Sequence, residues 1–415
     1  MTPPEARASE HPRIAIFTHD AYGLGHVRRC VHLVHGLAAR APQAPILFIT
    51  GAPAVEMLRS LPPNADYVKI PTIVTSGVQG AMPPVLGIGL AELSLLRSRT
   101  IRELVRSFAP DVFLVDNFPL GSRLELLPTL KALRPLGTRI VLGLRDVADP
   151  PERVRADWAR DGIYHVLERY YDRILIYGMR EVLDAAEAYA LPPAVAAKVR
   201  YCGYVTACDA PARAPEELRA EIGLPSPLLL ATVGGGGDGF PLLSSVLEAL
   251  PRVPQASALV VTGEFMPPAE REKLRALAAG RPRVVVRDYL PDLPAYMGAA
   301  DLVIAMGGYN TAAEILASGC RALLVPRTWR PGEQAGRARS RMDGEQLVRA
   351  QLLSALGLAE LLPPDELGPE ALAERIGAAL ERPRPATNGG ARVNVQGIES
   401  VVDHLLALAR GEENA

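Results

Sequence analysis

Short runs of apolar, often β-branched residues alternate along this chain with longer stretches whose apolar positions recur every three to four residues. The short runs predict strands at 13–18, 46–50, 112–115, 139–144 and 173–177, and a second series at 228–233, 258–262, 284–288, 302–305 and 322–326. Apolar strands separated by helices imply parallel sheets with both faces covered. The stretch after the first strand shows the helical pattern most clearly: Val27, Cys30, Val31, Val34, Leu37 and Ala38 form one buried stripe. The fold class is therefore α/β, with two Rossmann-like domains, one per series.

Proline-broken polar segments divide the chain. Residues 1–12 are expected to be disordered. Residues 13–204 form the first domain, 205–224 a linker with Pro211 and Pro215, and 225–390 the second domain. After a break at Pro383, Pro385, Gly389 and Gly390, residues 391–415 carry an amphipathic helix suited to pack back on the first domain. A length of 415 residues exceeds one ordinary core and suits two domains.

Composition narrows the function. The chain is 48% hydrophobic and 22% charged with a net charge of -1, so it lacks the basic excess that a nucleic-acid partner calls for. It shows neither a signal-peptide core at its start nor an uninterrupted apolar stretch long enough to span a membrane. Cys30, Cys202, Cys208 and Cys320 lie in or near apolar runs and form no close metal-ligand pair. Reduced, buried thiols and a cytoplasmic location follow, with no metal site expected.

In doubly wound sheets, ligands bind beyond the carboxyl ends of the strands. The first strand leads into Gly23-Leu24-Gly25-His26 and directly into the striped helix. A histidine at a helix start is kept neutral by the helix dipole and can act as a general base. Asp116 ends the third strand and would orient such a histidine. The competing view is a capping histidine and a loop aspartate that never meet.

In the second domain, Gly234-Gly235-Gly236-Gly237-Asp238-Gly239 joins a strand to a helix, an arrangement that can bind phosphate through exposed N–H groups. Farther on, Gly307-Gly308-Tyr309-Asn310-Thr311 again joins strand to helix, with Glu314 placed in what the pattern makes the first turn. That helix start can receive a diphosphate and Glu314 the ribose hydroxyls. Equally, Thr311 and Glu314 have the spacing of a capping box, a purely structural device.

Taken in order, these fragments resemble the GT-B glycosyltransferases, in particular the MurG-like, family 28-like branch. The resemblance rests on His19-Asp20, Gly23 to Arg29, Val115 to Gly121, Gly143-Leu144-Arg145-Asp146, Gly203-Tyr204-Val205, the run at Gly234, and Gly307 to Glu314. It covers nearly the whole chain. It implies an N-terminal acceptor domain and a C-terminal nucleotide-sugar domain, with His26 and Asp116 as catalytic residues. It places the donor, UDP-sugar by resemblance, on Gly25, Gly235, Gly236, Gly237, Leu290, Gly308, Asn310, Thr311 and Glu314.

Relatives carry an acidic-Gln pair near the donor sugar. Here it occurs twice, as Glu333-Gln334 and Glu345-Gln346, and the second is assigned to the sugar. The inserted Arg337, Arg339 and Arg341 are read as a solvated basic loop, with a phosphate clamp as the alternative. The implied activity is inverting, metal-independent transfer to a small-molecule or lipid-linked hydroxyl acceptor, with no cofactor beyond the sugar nucleotide and with peripheral membrane contact. The alternatives are a UDP-sugar 2-epimerase of the same fold and a non-catalytic sugar-nucleotide-binding protein.

Overall fold

The structure is a computed structural model that describes residues 11–18, 25–52, 56–73, 75–76, 80–81, 86–206, 213–327, 343–382 and 393–412. Its first sheet holds β1 (Ile14–Thr18), β2 (Ile46–Thr50) and β3 (Ala65–Lys69), then β6 (Val112–Asp116), β7 (Arg139–Arg145), β8 (Arg173–Tyr177) and β9 (Val199–Tyr201). A separate antiparallel ribbon is formed by β4 (Thr75–Ser76) and β5 (Gly80–Ala81). The sheet order is β3-β2-β1-β6-β7-β8-β9, parallel throughout.

The second sheet holds β10 (Leu228–Thr232), β11 (Ser257–Val261), β12 (Val284–Arg287), β13 (Leu302–Ala305), β14 (Ala322–Leu324) and β15 (Glu360–Leu361). Its order is β12-β11-β10-β13-β14-β15, again parallel. This is the doubly wound α/β architecture that the hydrophobic runs predict. The central strands β1, β6 and β10 are buried along their whole length, which is why they read as continuous apolar runs. Strands β3, β9 and β15 escape the sequence pattern because they are short or lie at sheet margins with half-exposed residues.

Each sheet has one point where its winding reverses. In the first it lies between β1 and β6, and in the second between β10 and β13. The helices that matter for the site follow strands at or next to these points. They are α1 (Gly25–Arg40) after β1, α2 (Phe240–Ala249) after β10, α3 (Tyr309–Ser318) after β13 and α4 (Asp343–Ala355) after β14. The stripe Val27, Cys30, Val31, Val34, Leu37 and Ala38 is buried.

The segment expected to be only a linker contains a helix, Pro215–Ile222, whose Leu218 is buried and which packs on Leu293–Ala299. Pro215 sits in its first turn, where proline's missing N–H costs nothing, so proline here starts a helix and does not mark a break.

The last helix, α5 (Gly397–Ala409), lies on α1, β6 and β7 of the first sheet. The approach is close because position 36 has no side chain. A Cβ there would stand 2.5 Å from Ile398 Cγ2 and 3.2 Å from Val402 Cγ2. Gly36→Ala is therefore expected to destabilise the protein by about 1–3 kcal/mol through overpacking. Adding Ile398→Ala should recover part of that loss, and denaturant unfolding of the single and double variants checks it.

Candidate functional site

α1 begins at the reversal point of the first sheet, and its first turn carries His26, Arg28 and Arg29. Residues 19–24, including Gly23 and the His19-Asp20 pair, lie outside the described residues. β6 runs parallel to β1 and ends in Asp116, which therefore sits beside the start of α1. His26 and Asp116 meet: Nδ1 stands 2.6 Å from Oδ2. Both residues are buried.

Arg29, three residues along the same helix, grips the same carboxylate. It donates from Nη2 at 2.7 and 2.8 Å and from Nε at 3.2 Å. Burial would raise the Asp116 pKa, but Arg29 and then His26 outweigh it and hold the carboxyl well below the usual range. The proton in the short contact therefore belongs to the imidazole. The ionised carboxylate can only accept, so the 2.6 Å contact assigns the hydrogen to Nδ1 and the basic lone pair to Nε2. Arg29 Nη2, 2.9 Å from the same Nδ1, then gives its hydrogens to Asp116 and not to the ring. Burial lowers the His26 pKa, Asp116 opposes it, and Arg29 and Arg145 add to the lowering, so the net shift is downward. The ring is thus neutral and oriented, as a general base requires.

Arg29 is the residue that the sequence patterns miss. It lies buried between two aromatic rings, 5.3 Å from the centre of Tyr177 and 5.1 Å from that of Tyr309. Tyr309 belongs to α3 of the second domain, so one cation holds Asp116 and also touches the second domain. An arginine three residues from His26, on a helix whose neighbouring positions are apolar, was the available signal.

The start of α3 docks on the start of α1, where Asn310 Nδ2 donates to the Gly25 carbonyl at 3.1 Å. α3 begins after Gly307, at φ 78°, and Gly308, and its N-terminus has no side-chain cap. Thr311 and Glu314 therefore do not form a capping box. The helix starts at Tyr309, which puts Thr311 inside the first turn and Glu314 in the second. Glu314 is buried, and Arg28 Nη2 pairs with its Oε1 at 2.8 Å. Burial pushes its pKa up, against the pull of Arg28.

The glycine run after β10 faces the same place. A side chain at Gly234 would approach Thr311 Oγ1 to 3.8 Å. Gly236 adopts φ 90°, and a Cβ there would run into the Thr262 carbonyl. Gly235 is exposed and accepts from the Phe265 N–H at 2.8 Å, and Gly237 is half-buried. Leu290 follows the edge strand β12 and is half-buried against the core beside exposed Tyr289.

Of the two acidic-Gln pairs, Glu333-Gln334 and the three inserted arginines lie outside the described residues. Glu345 and Gln346 sit on the first turn of α4 and are buried. Gln346 Oε1 accepts from the Arg327 N–H at 3.0 Å, and its Nε2 lies near Gly308. Glu345 pairs with Arg145 of the first domain at 2.6 Å and with Arg349 at 2.7 Å. Burial opposes the charged form, but the two arginines keep the Glu345 pKa lowered.

Arg349 also holds Asp146 across the interface at 2.8 Å and donates to the Val147 and Gly307 carbonyls. Arg145 donates to Asn117 Oδ1 at 3.3 Å, next to Asp116. These cross-domain pairings join residues too far apart in sequence for spacing to reveal.

Comparison with known proteins bears on the fold and on the second half of the chain. Residues 230–404 match the glycosyltransferase family 28 C-terminal domain. The UDP-N-acetylglucosamine–N-acetylmuramyl-(pentapeptide) pyrophosphoryl-undecaprenol N-acetylglucosamine transferase of Methylorubrum populi is 30% identical over 187 residues, covering 44% of this chain and 47% of the relative. The enzyme of the same name from Rubrobacter xylanophilus is 26% identical, covering 56% and 64%. The chain spans about half the length of such curated relatives.

Among solved structures, Acinetobacter baumannii MurG aligns with TM-score 0.60 and 15% identity over 95% of this chain and 99% of that one. A putative UDP-N-acetylglucosamine 2-epimerase from Listeria monocytogenes aligns with TM-score 0.62 and 15% identity over 98% of each. The second half of the chain thus matches the family 28 C-terminal domain, and the whole chain has the two-domain GT-B fold.

The site makes one stability prediction. Asp116→Asn strands the buried Arg29 cation without its carboxylate and should cost about 3–5 kcal/mol. Replacing both partners, Arg29→Met with Asp116→Leu, should cost less than Asp116→Asn alone. Urea unfolding of the two variants measures the difference.

Proposed function

We propose that the protein is an inverting glycosyltransferase that moves a sugar from a nucleoside diphosphate donor, UDP-sugar in the first instance, to an acceptor hydroxyl. One observation carries this reading. The neutral, oriented His26 sits at the start of α1, and Asn310 at the start of α3 is hydrogen-bonded to that same turn. Base and donor helix thus share one place.

In the proposed reaction, His26 Nε2 takes the acceptor proton as the oxygen attacks the anomeric carbon. The bond from that carbon to the diphosphate oxygen breaks on the opposite face. Negative charge then grows on the diphosphate, where the uncapped N-terminus of α3 and the glycine run after β10 supply N–H donors. These groups perform the task without a metal. Glu314 receives the ribose hydroxyls. Gln346 beside Gly308 faces the donor sugar, with Glu345 next to it.

The relatives' names support a lipid-linked acceptor, and a small-molecule alcohol is the other candidate. Among the described residues no helix is long and apolar enough to cross a membrane, so access to a lipid-linked acceptor would be from the bilayer surface. Buried thiols at Cys30 and Cys202 fit a reducing compartment, hence the cytoplasm.

The test is turnover of UDP-sugars with and without alcohol acceptors. His26→Ala should lower kcat by about 10²–10⁴ while nucleotide binding persists. With the His26 pKa lowered, kcat/KM should stay level as pH falls from 8 and decline only below about 6.5. Conversion of the sugar nucleotide with no acceptor present would identify an epimerase instead. Binding with no turnover under any condition would identify a sugar-nucleotide-binding protein.

A further inference from the structure

Arg28 is an arginine of the acceptor domain paired with the carboxylate proposed to hold the donor's ribose. Its Nη2 lies 2.8 Å from Glu314 Oε1, and the Glu314 side chain is only 5% exposed. Arg28 occupies one oxygen of a carboxylate that is otherwise almost wholly covered, so ribose hydroxyls compete with the guanidinium for it. The pair also keeps a buried charge tolerable, because burial raises the Glu314 pKa and Arg28 is the group that opposes it. Arg28 itself is 35% exposed, so it can swing without disturbing the core.

The surroundings say where it goes. Glu314 stands five residues after Tyr309, so about 7.5 Å of helix separates it from the α3 N-terminus. The start of α1, with its own positive dipole end, docks there through Gly25. An arginine side chain pivoting from the first turn of α1 covers that distance. The place it reaches is bounded by two helix N-termini and is suited to a diphosphate.

We propose that Arg28 is a further donor-site residue supplied by the acceptor domain: it covers Glu314 until ribose takes that carboxylate, then pairs with the donor's diphosphate. This rests on the glycosyltransferase reading above. The ion pair makes donor binding an exchange. Ribose displaces Arg28 from one anion, and the guanidinium finds another in the same ligand. A nucleoside, which has ribose without diphosphate, loses the Arg28–Glu314 pair and gains no replacement. The protein therefore discriminates sharply between a nucleoside and its diphosphate.

Calorimetric binding of uridine and UDP to the full-length protein, paired with steady-state kinetics, tests this. In the wild type, UDP should bind far more tightly than uridine. Arg28→Gln should tighten or leave unchanged the binding of uridine, weaken UDP, and so cut the preference about tenfold or more. It should also lower kcat by about 10²-fold, as expected when a group stabilising the leaving charge is lost. Arg28→Lys, which keeps the charge without the planar fork, should fall between.

Equal weakening of uridine and UDP by Arg28→Gln, or an unchanged preference with unchanged kcat, would overturn the proposal and reduce Arg28 to a structural partner of Glu314. If the wild type binds neither ligand, the glycosyltransferase reading fails together with it. If the wild type prefers UDP and the variant keeps that preference, only this inference fails.

Discussion

A single buried carboxylate, Asp116, organises the centre of this protein. Removing such a charge from water costs several kcal/mol unless partners compensate. His26 and Arg29, which hold it, come from one turn of α1. That requirement pins the start of α1 against the end of β6, at the point where the first sheet reverses. The same pairing orients the imidazole, selects its tautomer and leaves Arg29 as a flat cation between Tyr177 and Tyr309. Because Tyr309 opens α3, the cation that satisfies Asp116 also meets the second domain. Packing, tautomer and domain contact thus follow from the same charge.

The interface between the sheets repeats this logic. Asp146, Arg349, Glu345 and Arg145 form an alternating buried series running from one domain to the other. Gly344 lets the series close up, since a side chain there would collide with Pro150. Buried ion pairs add little net stability over apolar packing, but breaking one is costly. Such a series therefore specifies one relative placement of the two domains more than it strengthens it. Glu314 and Glu345 of the second domain are each held by an arginine of the first, Arg28 and Arg145. If these two carboxylates receive the donor, as proposed, donor binding and the domain contact draw on the same groups.

Much of this was legible in the residues. The central strands are covered on both faces and read as apolar runs, so both sheets can be foreseen. His26 and Asp116 could be nominated because both follow strands, where doubly wound sheets place ligands. Spacing could not say that they touch, which depends on the parallel register of β1 with β6. The ambiguity at Thr311 and Glu314 was likewise real in sequence. The capping-box alternative falls because α3 starts two residues earlier, at Tyr309, and has no capping side chain. Arg29, Arg145 and Asp146 stood in the motif fragments, but their pairings, and Arg349, could not be read there. Their partners lie on other elements, and charged residues read one at a time look like solvated surface.

The central claim is that Asp116 holds His26 as the neutral tautomer protonated on Nδ1. Nitrogen-15 NMR of the histidine ring measures this directly. At neutral pH the account predicts a His26 signal with hydrogen on Nδ1 and a lone pair on Nε2, and loss of that tautomer preference in Asp116→Asn. An imidazolium at pH 7, or hydrogen on Nε2 in the wild type, would contradict it.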